Sequence, residues 1–290
     1  MHASRALLVF ATAGLVACSG SSGRGGFDTP APEPGDTAAP APTGDFDTKP
    51  PPTPTDPPEI NEVFGHSASR LYRLDPKTKA VTEVGMFDGC GPIIDIALDE
   101  SSTLFATNYD ALYKVDKATA ECTEIARGKY PNSLSFVPKG TVDASVEALV
   151  GYEEADYVRI DTTTGAKTKI GALGGGMRSS GDIVSVKGGK TYLTVKGGSC
   201  TGGFDCLVEV DPATGKMLKN WGSIEHKNVF GLAFWGGKVY GFNDEGTLFE
   251  VTFGTTQLAT SVIPVGSKPA DLSFWGAGSS TSAPLVATPQ

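Results

Sequence analysis

One five-residue phrase, met five times along the chain, constrains the fold more than any other feature. It reads Leu71-Tyr72-Arg73-Leu74-Asp75, Leu112-Tyr113-Lys114-Val115-Asp116, Tyr157-Val158-Arg159-Ile160-Asp161, Leu207-Val208-Glu209-Val210-Asp211 and Leu248-Phe249-Glu250-Val251-Thr252. Successive starts lie 41, 45, 50 and 41 residues apart, enough for a unit of four short strands. Turn residues follow, as in Asp75-Pro76-Lys77-Thr78 and Asp211-Pro212-Ala213-Thr214-Gly215, and then a second β-rich run such as Ala80-Val81-Thr82-Glu83-Val84. Asp accepts local backbone hydrogen bonds and Pro presets φ, so these aspartates read as turn formers before they read as ligands.

Two further elements recur upstream of the phrase. Asp95-Ile96-Ala97-Leu98, Ser133-Leu134-Ser135-Phe136, Val184-Ser185-Val186, Gly231-Leu232-Ala233-Phe234-Trp235 and Asp271-Leu272-Ser273-Phe274-Trp275 alternate small with large residues, which suits a crowded innermost strand. Leu104-Phe105-Ala106-Thr107, Ala148-Leu149-Val150, Thr191-Tyr192-Leu193-Thr194 and Val239-Tyr240-Gly241-Phe242 come next, and no helical periodicity intervenes. The fifth unit is split, since Val63-Phe64-Gly65-His66 at the start matches Val239-Tyr240-Gly241-Phe242, leaving Asp271 to Trp275 to supply its inner strand. This arrangement resembles the one-plus-three closure of β-propellers, and the phrase is similar to repeats of bacterial quinoprotein-like and WD-like domains. The resemblance implies an all-β, five-bladed propeller of four-stranded antiparallel blades over residues 59–276, with a flexible tail at 277–290; Pro284 to Thr288 is an alternative edge strand for the first blade. The Gly-His…Trp-Asp pair of WD repeats and the tryptophan docking motif of quinoprotein dehydrogenases are both missing, which disfavours a quinone cofactor. Fold alone does not fix function.

The N-terminus carries export signals. Residues 1–17 combine Arg5 with an apolar run from Ala6 to Ala17, the pattern of a signal peptide and too short for a permanent span. Leu15-Val16-Ala17-Cys18 resembles the lipobox of bacterial lipoproteins, which implies cleavage before Cys18, acylation of that cysteine with palmitate-type chains, and durable membrane anchoring. Ser19, rather than Asp, follows the cysteine and favours the outer membrane, facing the periplasm or the cell surface. Residues 18–58 hold eleven of the chain's 20 prolines and few large apolar residues. Such a stretch reads as a disordered spacer, with a reach on the order of 120 Å if extended at about 3.1 Å per residue.

Four cysteines remain, an even number in an exported chain. Cys200 and Cys206 flank a Gly-rich loop close enough for a staple, and Cys90 and Cys122 then pair by exclusion. A four-thiolate zinc site is the rival, but no C-x-x-C spacing supports it. The net charge of −9 argues against nucleic acid as a partner, and no Lys/Arg cluster suits anionic lipid heads.

Chemistry, if present, is expected on the face built by the loops after the second and fourth strands. Candidate ligand-face residues are Tyr109, Asp110, Glu153, Glu154, Asp156, Asp244, Arg178 and His226. Their mix of aromatics and both charge signs suits a protein or carbohydrate partner, and solvated loop tips are the plainer reading. Glu153, Glu154 and Asp156 are the densest acids and the best case for calcium, although no spaced Asp/Asn loop is present. No H-E-x-x-H, G-x-S-x-G or phosphate loop occurs. The expected function is therefore a monomeric, non-enzymatic, membrane-anchored binding module of the cell envelope. The alternative is a furanosidase-like glycoside hydrolase using Asp95 and Asp271 at the axial ends of innermost strands. Trp235 and Trp275 read as core packing.

Overall fold

The computed structural model describes residues 62–265 and 268–287; the expected signal peptide, Cys18 and the spacer lie outside them. The described residues form an all-β ring of five four-stranded antiparallel sheets, a five-bladed β-propeller. Blade I contains β1 (Val63–His66), β2 (Arg70–Leu74) and β3 (Val81–Met86). Blade II is β4 (Asp95–Leu98), β5 (Leu104–Thr107), β6 (Ala111–Val115) and β7 (Cys122–Arg127). Blade III is β8 (Leu134–Val137), β9 (Ala148–Glu153), β10 (Asp156–Ile160) and β11 (Lys167–Ala172). Blade IV is β12 (Met177–Ser185), β13 (Thr191–Gly197), β14 (Cys206–Val210) and β15 (Met217–Ser223). Blade V is β16 (Val229–Trp235), β17 (Lys238–Asn243), β18 (Leu248–Phe253) and β19 (Leu258–Ile263). The chain then returns as β20 (Gly276–Ser279), which pairs with β1 and completes blade I.

Why this sequence takes this form is visible in the burial pattern. The axial strands β4 and β8 are buried at every position, because both of their faces meet neighbouring blades, whereas outer strands such as β3 and β11 are mostly exposed or half-buried. The recurring phrase forms the third strand of each blade, and its apolar residues fill five clusters among the described residues, one per blade interface. Burial on both sides removes apolar surface from water at about 25 cal/mol per Å², the main stabilising term of such a ring.

The turn aspartates act as their spacing predicts. Asp75 accepts the Lys77 and Thr78 amides at 2.8 and 3.0 Å, Asp116 those of Ala118 and Thr119 at 2.7 and 3.2 Å, and Asp161 those of Thr163 and Thr164 at 2.9 and 2.7 Å. Each of these turns and that of Asp211 ends on a left-handed residue, in order Lys79, Ala120, Gly165 and Gly215, with φ of 61°, 63°, 69° and 69°. At Gly215 a side chain is barred twice over, since a Cβ would stand 2.3 Å from the Tyr157 ring of the preceding blade. Lys79 instead reaches across the closure, donating to the Tyr240 hydroxyl at 3.2 Å and lying 5.2 Å from the Trp235 ring. Disulfides join Cys90 to Cys122, linking the loop after β3 to the start of β7, and Cys200 to Cys206 across the loop between β13 and β14.

The closing strand differs from the expectation. Asp271 to Trp275 does not form it; Gly276-Ala277-Gly278-Ser279 does. The axis there admits little bulk, for a Cβ on Gly276 would lie 2.3 Å from His66 Nε2 and 2.5 Å from Asp95 Oδ1. Leu272 and Phe274 are buried all the same, in the blade I–V interface, where Phe274 meets Phe242 edge-on at 5.0 Å. Order also continues beyond position 276, into the stretch expected as tail. Residues Ser280 to Ala283 are buried, and the segment from Ser279 runs under the ring. Ser279 Oγ accepts the Phe234 amide at 2.9 Å, Ser280 Oγ donates to the Asp99 carbonyl at 2.8 Å, the Thr281 carbonyl accepts the Lys187 amide at 2.9 Å, and the Thr281 hydroxyl bonds Glu147. One strap thus touches blades II, III, IV and V.

Candidate functional site

One residue from the axial segment of each blade stands at the mouth of the axis. Ile94 and Trp275 directly precede β4 and β20, Asn132 lies two residues before β8, and Gly181 and Phe230 lie within β12 and β16; with Tyr109 from the β5–β6 loop they line a cavity of about 220 Å³. Trp275 is 42% and Tyr109 65% exposed, and Phe230 is half-buried. Trp275 is held there by its amide, which donates to the His66 carbonyl at 2.7 Å, while Phe274 beside it is buried as an anchor. Trp235 is core packing as expected, at 8% exposure, but Trp275 is not. Its place in the phrase differs because the strand it precedes begins one residue later, at Gly276.

Beneath the mouth lies a buried polar layer. Asp95 and Asp182 are fully buried and hydrogen-bonded to each other. Asp95 also accepts the Ile96 amide at 2.8 Å and, across the blade boundary, the Leu134 amide at 2.6 Å. Asp182 accepts the Ile183 and Leu232 amides, each at 2.6 Å, and a backbone hydrogen bond from Ala277. Burial, and then the Asp182 charge, push the Asp95 carboxyl well above the usual carboxylate range. Burial pushes the Asp182 carboxyl up as well, so the pair retains a proton between its two carboxyl groups. His66 stands against them. Its Nδ1–H donates to the Ser67 carbonyl at 2.9 Å, its Nε2 is a buried acceptor with no hydrogen-bond partner, and burial lowers its pKa to about 4. Backbone amides of all five axial strands therefore converge on one acid pair, beside one neutral imidazole.

The expected pairing of Asp95 with Asp271 does not occur, since Asp271 is exposed in the loop before β20 and Asp182 takes its place. A shared signal was present in the sequence, because Asp95-Ile96 and Asp182-Ile183 open their axial segments alike. A bulge between Ser179 and Ile183 displaces the alternation by which the second was to be found.

The other candidates stand around the same end of the ring without converging. Glu153 pairs with Lys167, Asp156 with Lys169 at 2.7 Å, and Glu154 with Arg178 at 3.6 Å. Glu153, Glu154 and Asp156 are thus divided among three cations, and among the described residues no group of three His, Cys, Asp or Glu side chains is arranged to hold a metal ion. Asp244 accepts the Asn228 side-chain amide at 3.0 Å. His226 stacks on Phe249 at 4.0 Å, and burial lowers its pKa. Asp110 turns its backbone inward, its amide donating to the Asn108 side chain at 2.8 Å and its carbonyl accepting from Gly128 at 2.9 Å, and its side chain is exposed. Only Tyr109 reaches the axial mouth. Asn132, Asp182 and Phe230 complete a site that sequence reasoning missed.

A second cavity, of about 430 Å³, opens between blades II and III near the strap and includes Asp99, Glu100, Glu147 and Arg159. Glu147 accepts the Glu100 amide at 2.6 Å and the Thr281 hydroxyl, and burial raises its pKa to about 7.

Among the described residues no helix is long and apolar enough to cross a membrane. No protein-family model matches the chain. No curated protein matches it either. Among solved structures, the chain is similar to one in the crystal structure of a nidogen/laminin complex, with 12% identity over 75% of this chain and 97% of that one and a TM-score of 0.47. It is also similar to the hydrazine synthase of Kuenenia stuttgartiensis, with 13% identity, a TM-score of 0.38, and coverage of 72% of this chain and 64% of that one, so it spans less than two thirds of that chain's length. BamB from Moraxella catarrhalis shows 11% identity over 67% of this chain and 58% of that one, with a TM-score of 0.36. These are likenesses of architecture, and the propeller assignment rests on the five sheets themselves.

Proposed function

We propose that this chain is a lipid-anchored β-propeller of the bacterial cell envelope, a binding module that engages its partner through the Trp275 end of the ring and performs no chemistry there. The state of the axial acids carries this reading. A glycoside hydrolase needs two carboxyl groups about 5–10 Å apart on opposite sides of the scissile bond. Asp95 and Asp182 are instead fully buried, bonded to one another and occupied by backbone amides. Two disulfides suit an oxidising compartment outside the cytoplasm. Leu15-Val16-Ala17-Cys18 supports the anchor, and the spacer would then hold the ring away from the membrane.

Two experiments test the reading. Labelled palmitate should enter the wild type and not Cys18→Ser; an unlabelled wild type removes the anchor. Photo-crosslinking groups placed at Tyr109 and Glu154 should capture an envelope component that groups at Thr163 and Ala213, on the turns between third and fourth strands, do not. Equal capture from both ends, or glycan hydrolysis by the purified protein that Asp95→Asn abolishes, overturns it.

A further inference from the structure

We propose that the axial mouth is a binding site for a small alkylated ammonium group, held by the rings of Trp275, Tyr109 and Phe230 above the Asp95–Asp182 pair. The inference rests on the binding role assigned to that end of the ring and gives it a ligand class. Three of the six lining residues are aromatic, and none is a lysine or arginine. Aromatic faces attract cations, tryptophan most strongly, and quaternary ammonium ions, which need no hydrogen-bond acceptors, gain most from such walls. The layer below has the complementary sign. Among the described residues, no lysine or arginine forms an ion pair with Asp95 or Asp182, and neutral His66 supplies no positive charge. His66 Nε2, buried and unpartnered, crowds the same point above Gly276 as Asp95 Oδ1, directly after Trp275 in the chain. The polar atoms under the mouth are thus a carboxyl oxygen of the buried acid pair and a lone-pair nitrogen, both electronegative and neither balanced by a cation.

Size and polarity argue against a saccharide. A cavity of about 220 Å³ displaces only about seven waters at ~30 Å³ each, which suits one trimethylammonium head. A sugar ring needs several convergent hydrogen-bonding side chains, and the lining offers the Asn132 amide and the Tyr109 hydroxyl.

Choline is the probe, titrated into the full chain by calorimetry and tryptophan fluorescence, beside its neutral isostere 3,3-dimethyl-1-butanol and beside glucose. Choline should bind, with the isostere weaker by about tenfold or more. Trp275→Ala and Tyr109→Ala, at exposed positions, should each weaken choline several-fold while leaving the urea midpoint unchanged. No choline binding by the wild type, equal affinity for the isostere, preference for glucose, or undiminished binding by Trp275→Ala overturns the proposal. Crosslinks from Tyr109 without choline binding would refute the ligand class and leave the binding end intact; loss of both refutes the role assigned to that end.

Discussion

Replacing Asp95 by asparagine separates a protonated acid from an ionised one. In the unfolded chain this carboxyl ionises near about 3.9, whereas in the ring burial and the Asp182 charge keep its proton on to much higher pH. A folded pKa raised above the unfolded value means that the acid's contribution is complete below about pH 4 and is lost as pH rises toward the folded pKa, by about 1.4 kcal/mol per pH unit. The introduced asparagine does not titrate. Its amide N–H replaces the acid O–H toward Asp182, and its one carbonyl oxygen serves either Ile96 or Leu134, where the acid serves both. Stranding one buried N–H costs about 1–3 kcal/mol. The variant should therefore be the less stable protein near pH 4 and should overtake the wild type within about two pH units, as the slope of about 1.4 kcal/mol consumes that deficit. Urea unfolding followed by the fluorescence of Trp221, Trp235 and Trp275 at a series of pH values measures the difference directly. His66, with a pKa of about 4, is neutral in both folded proteins above that pH and cancels. A stability difference that does not change with pH would show that the Asp95–Asp182 pair holds no retained proton in the ring, and the raised pKa of the pair would be refuted.

Three further outcomes follow from the packing. Gly276→Ala would press a methyl against His66 Nε2 and Asp95 Oδ1 at 2.3 and 2.5 Å, a loss of at least about 1–3 kcal/mol; Gly128→Ala, whose nearest neighbour would be the Tyr130 hydroxyl at 3.5 Å, should melt near the wild-type temperature. Glu147, raised by burial to about 7, should make the protein less stable as pH climbs from its unfolded value of 4.5 through 7, and thermal melts of Glu147→Gln should lack that part of the decline. Gly215→Ala, at a φ of 69° and 2.3 Å from Tyr157, should cost more than about 2 kcal/mol in urea unfolding, combining left-handed strain with overpacking.

The third strands and their turns were legible in the sequence because both are local. Leu71 to Asp75 and its relatives carry alternation, and Asp75, Asp116 and Asp161 cap their own turns within three residues. Cysteine parity made both disulfides legible as well. The closing strand was not, because Asp271-Leu272-Ser273-Phe274-Trp275 has the alternation of an axial strand while its burial comes from a loop wedged between blades I and V. The true strand, Gly276 to Ser279, bears no hydrophobic pattern, since the axis selects for the absence of side chains. The candidate site was obscured for a related reason. Its residues share neither a motif nor a neighbourhood in the chain; each blade contributes one from its axial segment, and the set becomes visible only once the five blades are arranged in a ring.

The strap under the ring has a consequence for the order of events in folding. Blades II to V are built from consecutive strands joined by short loops, so each can assemble from its own stretch of chain. The sheet of blade I cannot, since β1 gains its inner neighbour only from Gly276 to Ser279, at the far end of the domain. Until that stretch arrives, β1 presents an unpaired edge and the inner ends of four blades lack their common brace. A polypeptide threaded through a translocon amino end first would therefore stay unlatched throughout its passage, and would lock only after the whole ring had crossed.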